Sequence, residues 1–217
     1  MFTVKKKGNR PGNTQRLIVD CRQANYLQRP PATTRLATPA GLAALDFDWE
    51  TLSAAGFSGI QGEPNFANPG SGLETGDVGD CFYNFVIKEA CSWRSTGDTL
   101  STSKMKQLGI FQDTIYDDDA GVETPVVEGE TLLVCFGGMP VRWSWALYFA
   151  QEIISEQCRI ACGATTSELV RDKTAAPMLS PGKAMIGVYV DNVHTFGGTI
   201  QDASDNMTKI QHHFENL

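Results

Sequence analysis

The segment IGVYVDNVHTF, Ile186 to Phe196, carries one carboxylate, Asp191, within a largely apolar run. A carboxylate in such a strand is costly to bury unless something pairs with it or binds it. Asp77 has a similar position at the head of another apolar run, 114 residues earlier. Two strands with a carboxylate at each tip suit a divalent cation, because Mg²⁺ takes one or two protein carboxylates and completes its shell with water and phosphate oxygens. Such residues also commonly cap backbone amides, so this spacing alone leaves both interpretations open.

The composition is that of an ordinary globular protein. The 217 residues are 41% hydrophobic and 20% charged, which is enough for one large domain or two small ones. No run of about 18 apolar residues predicts a membrane span, and the N-terminal segment MFTVKKKGNR has no apolar core of a secretory signal. The six cysteines form no zinc set, which predicts reduced, mostly buried thiols. We therefore expect an intracellular protein without a membrane partner, in either the cytoplasm or the nucleus.

The charge is unevenly distributed along the chain. Residues 1–35 hold eight basic residues and one acid, whereas the remainder holds ten basic and 24 acidic residues. A basic arm on an acidic body suits a polyanionic partner approached through metal ions, although a solvated N-terminal segment explains the arm equally well.

Periodicity predicts the main elements. We expect short strands over 16–20 and 131–136, and a strand over 185–193, with an extended segment over 29–40. Residues 75–87 are interpreted as a turn that leads into a β-prone run, and residues 56–72 as a boundary between two lobes.

Two amphipathic helices are predicted in the second half of the chain. One covers about 144–162, where Trp145, Phe149, Ile153 and Ile160 have near-helical spacing. The other begins at about Ala203 and carries one apolar stripe, formed by Met207, Ile210, Phe214 and Leu217.

Five segments, in order along the chain, resemble the motifs of reverse transcriptases. RLIVDCRQAN (16–25) is similar to the fingers segment of that family, and DVGDCFYNFVI (77–87) to its first palm motif. MPVRWSWALYFAQ (139–151) resembles the motif between the two aspartates, where a proline leads into a helix. YVDN (189–192) looks like the Tyr-x-Asp-Asp box, and DNMTKIQHHFENL (205–217) like the helix after it.

The resemblance implies an RNA-directed DNA polymerase of retrotransposon or retroviral type. The implied fold is α+β: a right-hand polymerase palm, whose antiparallel sheet is backed by helices, with a partial fingers subdomain and no thumb. Residues 1–70 would be fingers-like and 71–217 would be palm, with a polar insertion around 94–130. The implied partners are an RNA or DNA template with a primer, deoxynucleoside triphosphates and the rest of a retroelement polyprotein.

The resemblance also implies the metal site. Asp77 and Asp191, with Asn192 beside them and the Val78 backbone as a further contact, would hold two Mg²⁺ ions, with Mn²⁺ as a substitute. To share a cation, the Cα atoms of Asp77 and Asp191 must lie within about 10 Å of each other.

Nucleotide and template contacts are implied as well. The ring of Phe82 would clash with a ribonucleotide 2′ hydroxyl, and Val141 and Arg142 would line the nucleotide site. The residues implied to hold the triphosphate are Arg16, one of Lys5, Lys6 and Lys7 (here Lys6), and the backbone of Gly79, Asp80 and Cys81. The implied fingers and template residues are Asp20, Arg22 and Asn25, with Arg22 paired to Asp20.

The sequence departs from the family at two positions. Asn192 stands where the family has a second aspartate, and Arg142 stands where the family has the glycine of Pro-x-Gly. These departures keep an alternative open, namely a truncated or decayed polymerase-like domain that binds nucleic acid without synthesis. Two further alternatives are a phosphohydrolase that uses Asp77 and Asp80, and a Ca²⁺-binding module on residues 117–119.

Overall fold

The computed structural model divides the chain into two compact units. Unit 1 comprises residues 1–30 and 82–146, and unit 2 comprises residues 31–81 and 147–217. Each unit uses two separate stretches of chain, and the predicted sequential division at residue 70 stays a prediction. The structure describes residues 2–5, 15–47, 49–54, 56, 72–87, 96–117, 121–135 and 137–217.

Ten strands and seven α-helices are present in these ranges. The strands are β1 (Phe2–Lys5), β2 (Gln15–Ile18), β3 (Gly72–Asp77), β4 (Thr96–Ser101), β5 (Thr114–Asp117), β6 (Val122–Pro125), β7 (Thr131–Cys135), β8 (Leu169–Val170), β9 (Met185–Tyr189) and β10 (Asn192–Gly197). The helices are α1 (Arg22–Leu27), α2 (Pro39–Ala43), α3 (Trp49–Ala54), α4 (Cys81–Asn84), α5 (Thr102–Leu108), α6 (Ala146–Cys162) and α7 (Ile200–Glu215).

Unit 2 is built on a four-stranded sheet with the order β3-β10-β9-β8. The first three strands are antiparallel neighbours, and β8 runs parallel to β9. The predicted α+β class is therefore confirmed, but the prediction of a purely antiparallel sheet is wrong for β8. The connection from β8 to β9 covers 171–184, which is long enough to return the chain to the same end of the sheet, as parallel pairing requires.

Helix α7 packs closely against β3 and β10. Met207 and Ile210 are buried as predicted, together with Ala203, whose carbonyl accepts a hydrogen bond from the Thr195 hydroxyl at 2.8 Å. The helix begins at Ile200, three residues before the predicted start, because Thr199 and Asp202 form a capping box. The predicted stripe is wrong at its end, since Leu217 lies beyond the helix and is 75% exposed.

Helix α6 confirms the predicted element but not the predicted stripe. Trp145 precedes the helix, while Phe149, Ile153 and Ile160 lie on its more exposed side. The buried residues of α6 are Ala146, Ala150, Gln151, Ile154, Ser155 and Cys158. Burial therefore follows the side on which small residues are most frequent, not the side with the predicted apolar stripe.

The extended segment 29–38 is confirmed, and it adds a backbone contact to the sheet: the Ala37 amide donates to the Val188 carbonyl at 2.9 Å. The prediction is wrong for Pro39 and Ala40, which begin α2. Thr38 caps that helix by accepting from the Gly41 amide at 3.2 Å, and proline suits the first helical position.

One hydrophobic core of unit 2 lies beside this segment. It consists of Ala37, Leu52, Val170, Leu179, Met185 and Phe196. Phe47 packs against it, with its ring stacked on that of Phe196 at a centroid distance of 6.0 Å.

Unit 1 consists of three two-stranded antiparallel pairs, β1-β2, β4-β7 and β5-β6, with α1 and α5. The predicted strands 16–20 and 131–136 are confirmed over most of their length, as β2 and β7. The polar region 94–130 carries β4, β5, β6 and α5 over its described residues.

The β-prone run predicted within 75–87 is wrong. Residues 81–84 form α4, and Val86 makes only an isolated bridge with Gly138. A turn precedes α4, in which the Cys81 amide donates to the Val78 carbonyl at 3.2 Å. The lobe boundary predicted over 56–72 falls mostly on residues outside the described part of the chain.

Four cysteines have described side chains: Cys21, Cys81, Cys158 and Cys162. All four are free thiols, and the first three are buried, which agrees with the prediction. In the described ranges, no helix combines the length and the apolar character that crossing a bilayer requires.

Candidate active site

Asp77 and Asp191 lie at the same end of the unit 2 sheet. Strand β3 ends at Asp77, whose partner across the antiparallel ladder is Asn192. The Val78 amide donates to the Asp191 carbonyl at 2.8 Å, which fixes the two chain segments side by side. Facing Cα atoms are about 5 Å apart in such a ladder, and consecutive Cα atoms about 3.8 Å. The Cα atoms of Asp77 and Asp191 are therefore within about 10 Å, the separation expected from the sequence.

The turn that carries Asp191 is strained. Val190 and Asp191 form a two-residue connection between β9 and β10, and Val190 has φ of 60°. A positive φ at the first central residue alone is the type II′ arrangement, which normally has glycine there. A β-branched residue in this conformation costs of order 1–3 kcal/mol, and such strain persists only where neighbouring structure enforces it.

Gln151 of α6 is 1% exposed and forms hydrogen bonds with the backbone of this turn. Its Oε1 accepts from the Val190 amide at 2.8 Å, and its Nε2 donates to the Val188 carbonyl at 3.0 Å. The same nitrogen also lies 3.1 Å from the Ser155 hydroxyl and 3.3 Å from the Arg35 carbonyl. Sequence reasoning missed Gln151 as a site residue. The signal that could have found it is a long polar side chain among the small residues of α6.

Asn192 binds its neighbour directly. Its Nδ2 donates to the Asp191 Oδ1 at 2.9 Å, so one lone pair of that carboxylate is engaged by a neutral donor. The Asn192 side chain also has a carbonyl oxygen, which can serve as a hard ligand but brings no negative charge.

The turn after β3 presents backbone groups and one buried thiol. Asp80 has φ of 51°, a left-handed conformation that aspartate tolerates. Cys81 is 3% exposed, and its pKa is raised to about 11, first by burial and then by the charges of Asp191 and Asp77. The thiol is therefore neutral at physiological pH. Because the Cys81 amide already donates to the Val78 carbonyl, its predicted contact with a triphosphate would require that bond to open.

The donor set at this end of the sheet suits Mg²⁺. It offers the carboxylates of Asp77 and Asp191, the amide oxygen of Asn192 and the carbonyl of Val78, all hard oxygen atoms. Mg²⁺ commonly takes only one or two carboxylates and leaves its other positions to water and substrate phosphates. Across the described residues, no group of three or more His, Cys, Asp or Glu side chains is placed to hold a metal.

In unit 1, Asp20 and Arg22 form the expected pair. Arg22 Nη2 is 2.6 Å from Asp20 Oδ2, and the hydrogen bonds from the Arg22 side chain and backbone lower the pKa of Asp20 to about 2. Both side chains are solvent-exposed, so the pair orders the start of α1 more than it stabilises the fold.

Unit 1 also brings Asn25 and Arg142 together. Asn25 Nδ2 donates to the Arg142 carbonyl at 2.9 Å, and its Oδ1 accepts from the Ser144 amide at 2.8 Å. The Trp145 indole adds a hydrogen bond to the Arg29 carbonyl at 2.8 Å. Asn25 therefore holds the loop that leads into α6, which is a role that the sequence did not predict.

The other residues of unit 1 that were predicted to contact the nucleotide lie in several different segments. Phe82 is half-buried, and its carbonyl accepts from the Met139 amide at 3.2 Å. Val141 is 52% exposed, and Arg142 is exposed beside it. Arg16 lies in β2 opposite Val4. Lys6 lies outside the described residues.

Comparison with known proteins adds no family assignment, since no family model matches the chain and no curated protein matches its sequence.

Proposed function

We propose that this chain is a polymerase domain of reverse transcriptase type, with unit 2 as its palm. The single observation that carries the proposal is the convergence of Asp77 and Asp191 at one end of an antiparallel β3-β10-β9 ladder. The strained turn at Val190 supports it, because backbone strain of this kind concentrates at functional sites. The order of the five sequence motifs gives the proposal its reaction class, which is transfer of a deoxynucleotide to a primer 3′ hydroxyl.

The chain's own groups would act by position and charge. Asp77 and Asp191 would hold divalent cations, and the Val78 and Asn192 oxygens would complete the protein contacts of these ions. When bound, Mg²⁺ would supply the Lewis acid that activates the primer hydroxyl and balances the charge of the pyrophosphate. Preorganised oxygen ligands need little rearrangement as charge develops, which is how a rigid sheet end favours this reaction.

The residues proposed to contact the substrates are assigned from the resemblance to reverse transcriptases. Arg16 and Lys6 would pair with the triphosphate, since a guanidinium offers a planar fork of donors to phosphate oxygens. Asp20, Arg22 and Asn25 would order the fingers side of the template. The basic residues of the 1–35 segment would bind phosphates of the nucleic acid, so affinity should fall as salt rises.

Primer extension tests this function. The chain is incubated with an RNA or DNA template, a primer, deoxynucleotides and Mg²⁺ or Mn²⁺, and Asp77→Asn and Asp191→Asn are compared with it. We expect either substitution to lower extension by at least about 100-fold, because each removes both a ligand and a charge. Asp205→Asn, which changes an exposed aspartate on α7, is the matched control. Equal extension by all four proteins would overturn the proposal.

Phe82 gives a second prediction, on sugar selection. Phe82→Ala should increase ribonucleotide use and leave deoxynucleotide use largely intact, because only the clash with the 2′ hydroxyl is removed. Competition between the two nucleotide types in the extension assay measures this. Phe85→Ala is the control, since the Phe85 carbonyl also accepts from the Met139 amide. Unchanged rejection of ribonucleotides would remove Phe82 from the nucleotide site.

One observation favours a second candidate, a domain that binds nucleic acid without synthesis. The Asn192 amide takes up an oxygen of Asp191, and the site has one charge fewer than the family pattern. This candidate predicts salt-dependent binding of template and primer in a gel-shift assay, with no extension in either metal. Extension abolished by Asp191→Asn would exclude it.

A further inference from the structure

We infer that Gln151 is the positioning residue of this site: its side-chain amide holds the Val190 turn in its strained conformation and so sets where the Asp191 carboxylate lies relative to Asp77. The inference rests on the proposed function, because it assigns Gln151 to the same cation site. Gln151 touches neither carboxylate and would act through the backbone of the turn.

The hydrogen bonds of Gln151 bracket the residue before the turn. Its acceptor binds the Val190 amide and its donor binds the Val188 carbonyl, so the backbone on both sides of Tyr189 is fixed by one planar group. The Val188 carbonyl also accepts from the Ala37 amide, so both of its lone pairs are used. A rotation of the Val190 peptide towards an ordinary φ would break the Gln151 contact in a buried setting, where no water replaces it.

The second constraint comes from the other side of the turn. The Asp191 carbonyl accepts from the Val78 amide at 2.8 Å, next to Asp77. The turn is thus held at Val190 by α6 and at Asp191 by the end of β3. Release of the first contact lets Val190 relax and carries Asp191 with it, since the two residues share a peptide plane.

The burial of Gln151 also argues for a specific role. It is 1% exposed, and its amide makes four contacts within 3.3 Å, three of them with backbone groups. A long polar side chain is expensive to bury unless its polar atoms are satisfied, and here the Val188 carbonyl and the Val190 amide supply two of the four partners of the Gln151 amide.

The test uses hydrogen exchange and Mn²⁺ binding on the full chain. In Gln151→Met, which has a similar volume but no amide, we expect the exchange protection of the Val190 amide to fall by about tenfold or more. The apparent Mn²⁺ dissociation constant should rise by about tenfold, because the Asp191 ligand is no longer preorganised. Ser155→Ala is the matched control, since it removes a partner of Gln151 one turn along α6 and leaves both contacts with the turn.

Rescue separates positioning from general loss of stability. Val190→Gly removes the strain, because glycine adopts a positive φ freely, so the pair Gln151→Met with Val190→Gly should bind Mn²⁺ nearly as well as wild type. If Gln151→Met does not fold, Gln151→Asn replaces it, because its amide is one methylene too short to reach both backbone groups.

The outcomes distinguish this inference from the proposed function. Unchanged Val190 exchange in the Gln151 variants, an equal loss in Ser155→Ala, or absence of rescue by Val190→Gly would overturn the role of Gln151. Lost protection with rescue supports it. A wild-type chain that binds Mn²⁺ but extends no primer would count against the polymerase function and leave the role of Gln151 intact.

Discussion

Helices α6 and α7 both belong to the second half of the chain, but they differ in the share of large apolar residues that they bury. Helix α7 buries the large apolar residues Met207 and Ile210. Helix α6 leaves Ile153 and Ile160 partly exposed, and apart from Ile154 it buries small residues and the polar Gln151. The two helices also contact each other, through a hydrogen bond of 2.7 Å between His213 Nε2 and Gln157 Oε1.

The difference shows what each helix contributes to the site. Helix α7 stabilises the sheet by removing apolar surface from water, which is the ordinary reason for an amphipathic helix. Helix α6 contributes the Gln151 side chain, which reaches the β9-β10 turn through hydrogen bonds with the Val188 carbonyl and the Val190 amide. The packing of α7 thus supports the strands, and the packing of α6 supports the position of one residue, Asp191.

The largest expected effect on stability is a difference between alanine substitutions at two adjacent isoleucines of α6. Ile154 is 1% exposed and Ile153 is 38% exposed. We expect Ile154→Ala to lower the free energy of unfolding by about 2–5 kcal/mol, because it opens a cavity. Ile153→Ala should cost less than about 1 kcal/mol. Urea denaturation measures both, and similar losses would show that the buried side of α6 is assigned incorrectly.

A smaller effect is expected where α7 approaches β10. A Cβ atom at Gly197 would lie 2.6 Å from the Asp202 Cβ and 2.7 Å from the Ala203 amide nitrogen. Gly197→Ala should therefore lower stability by about 1–3 kcal/mol through overpacking. Gly137→Ala is the control, since a Cβ atom there meets nothing within 4 Å. A Gly197→Ala protein as stable as the control would contradict the close contact of α7 with the sheet.

The smallest expected effect concerns two capping boxes in unit 2. Thr199 and Asp202 cap the start of α7. Thr165 and Glu168 form a second box, which caps the short 3-10 helix Thr166–Glu168 that follows α6. The backbone amide of Thr165 lowers the pKa of Glu168, and Lys183 at 3.0 Å acts in the same direction. Because the folded-state pKa lies below the ordinary value of 4.5, the stabilisation is present above that pH and is lost as the pH falls through the folded-state pKa.

Glu168→Gln should therefore lower stability by about 1 kcal/mol at pH 7. The stability of the variant should also fall less steeply than that of the wild type as the pH is lowered. Thermal melting between neutral and acidic pH measures this. An unchanged pH profile in the variant would show that Glu168 does not contribute to acid sensitivity.

Much of the fold was predictable because periodicity marks elements well. The helix with Met207 and Ile210 follows from apolar spacing alone. The strands at the site were predicted less well: the apolar run was placed after Asp77, whereas β3 ends there, and the strand expected over 185–193 is divided by the turn at Val190 and Asp191. The buried side of α6 was not predictable in this way, since the sequence holds two overlapping stripes and only the tertiary contact with the turn decides between them.

The residues of the candidate site likewise fall into those that the sequence predicted and those that it missed. The two aspartates could be proposed from the sequence because the segments around them resemble the reverse transcriptase motifs, whereas their position in apolar runs alone left a capping role equally open. Gln151 could not, because its function depends on the φ of Val190, which no sequence pattern states. The structural role of Asn25 was missed for a similar reason, since its partners Arg142 and Ser144 are more than a hundred residues away.

The most direct test of the central claim, that Asp77 and Asp191 together bind divalent cations, is a titration of the chain with Mn²⁺ followed by electron paramagnetic resonance. We expect saturable Mn²⁺ binding by the wild-type chain, loss of that binding in Asp77→Asn and in Asp191→Asn, and retention in the control Asp205→Asn. Identical titration curves for all four proteins would contradict it.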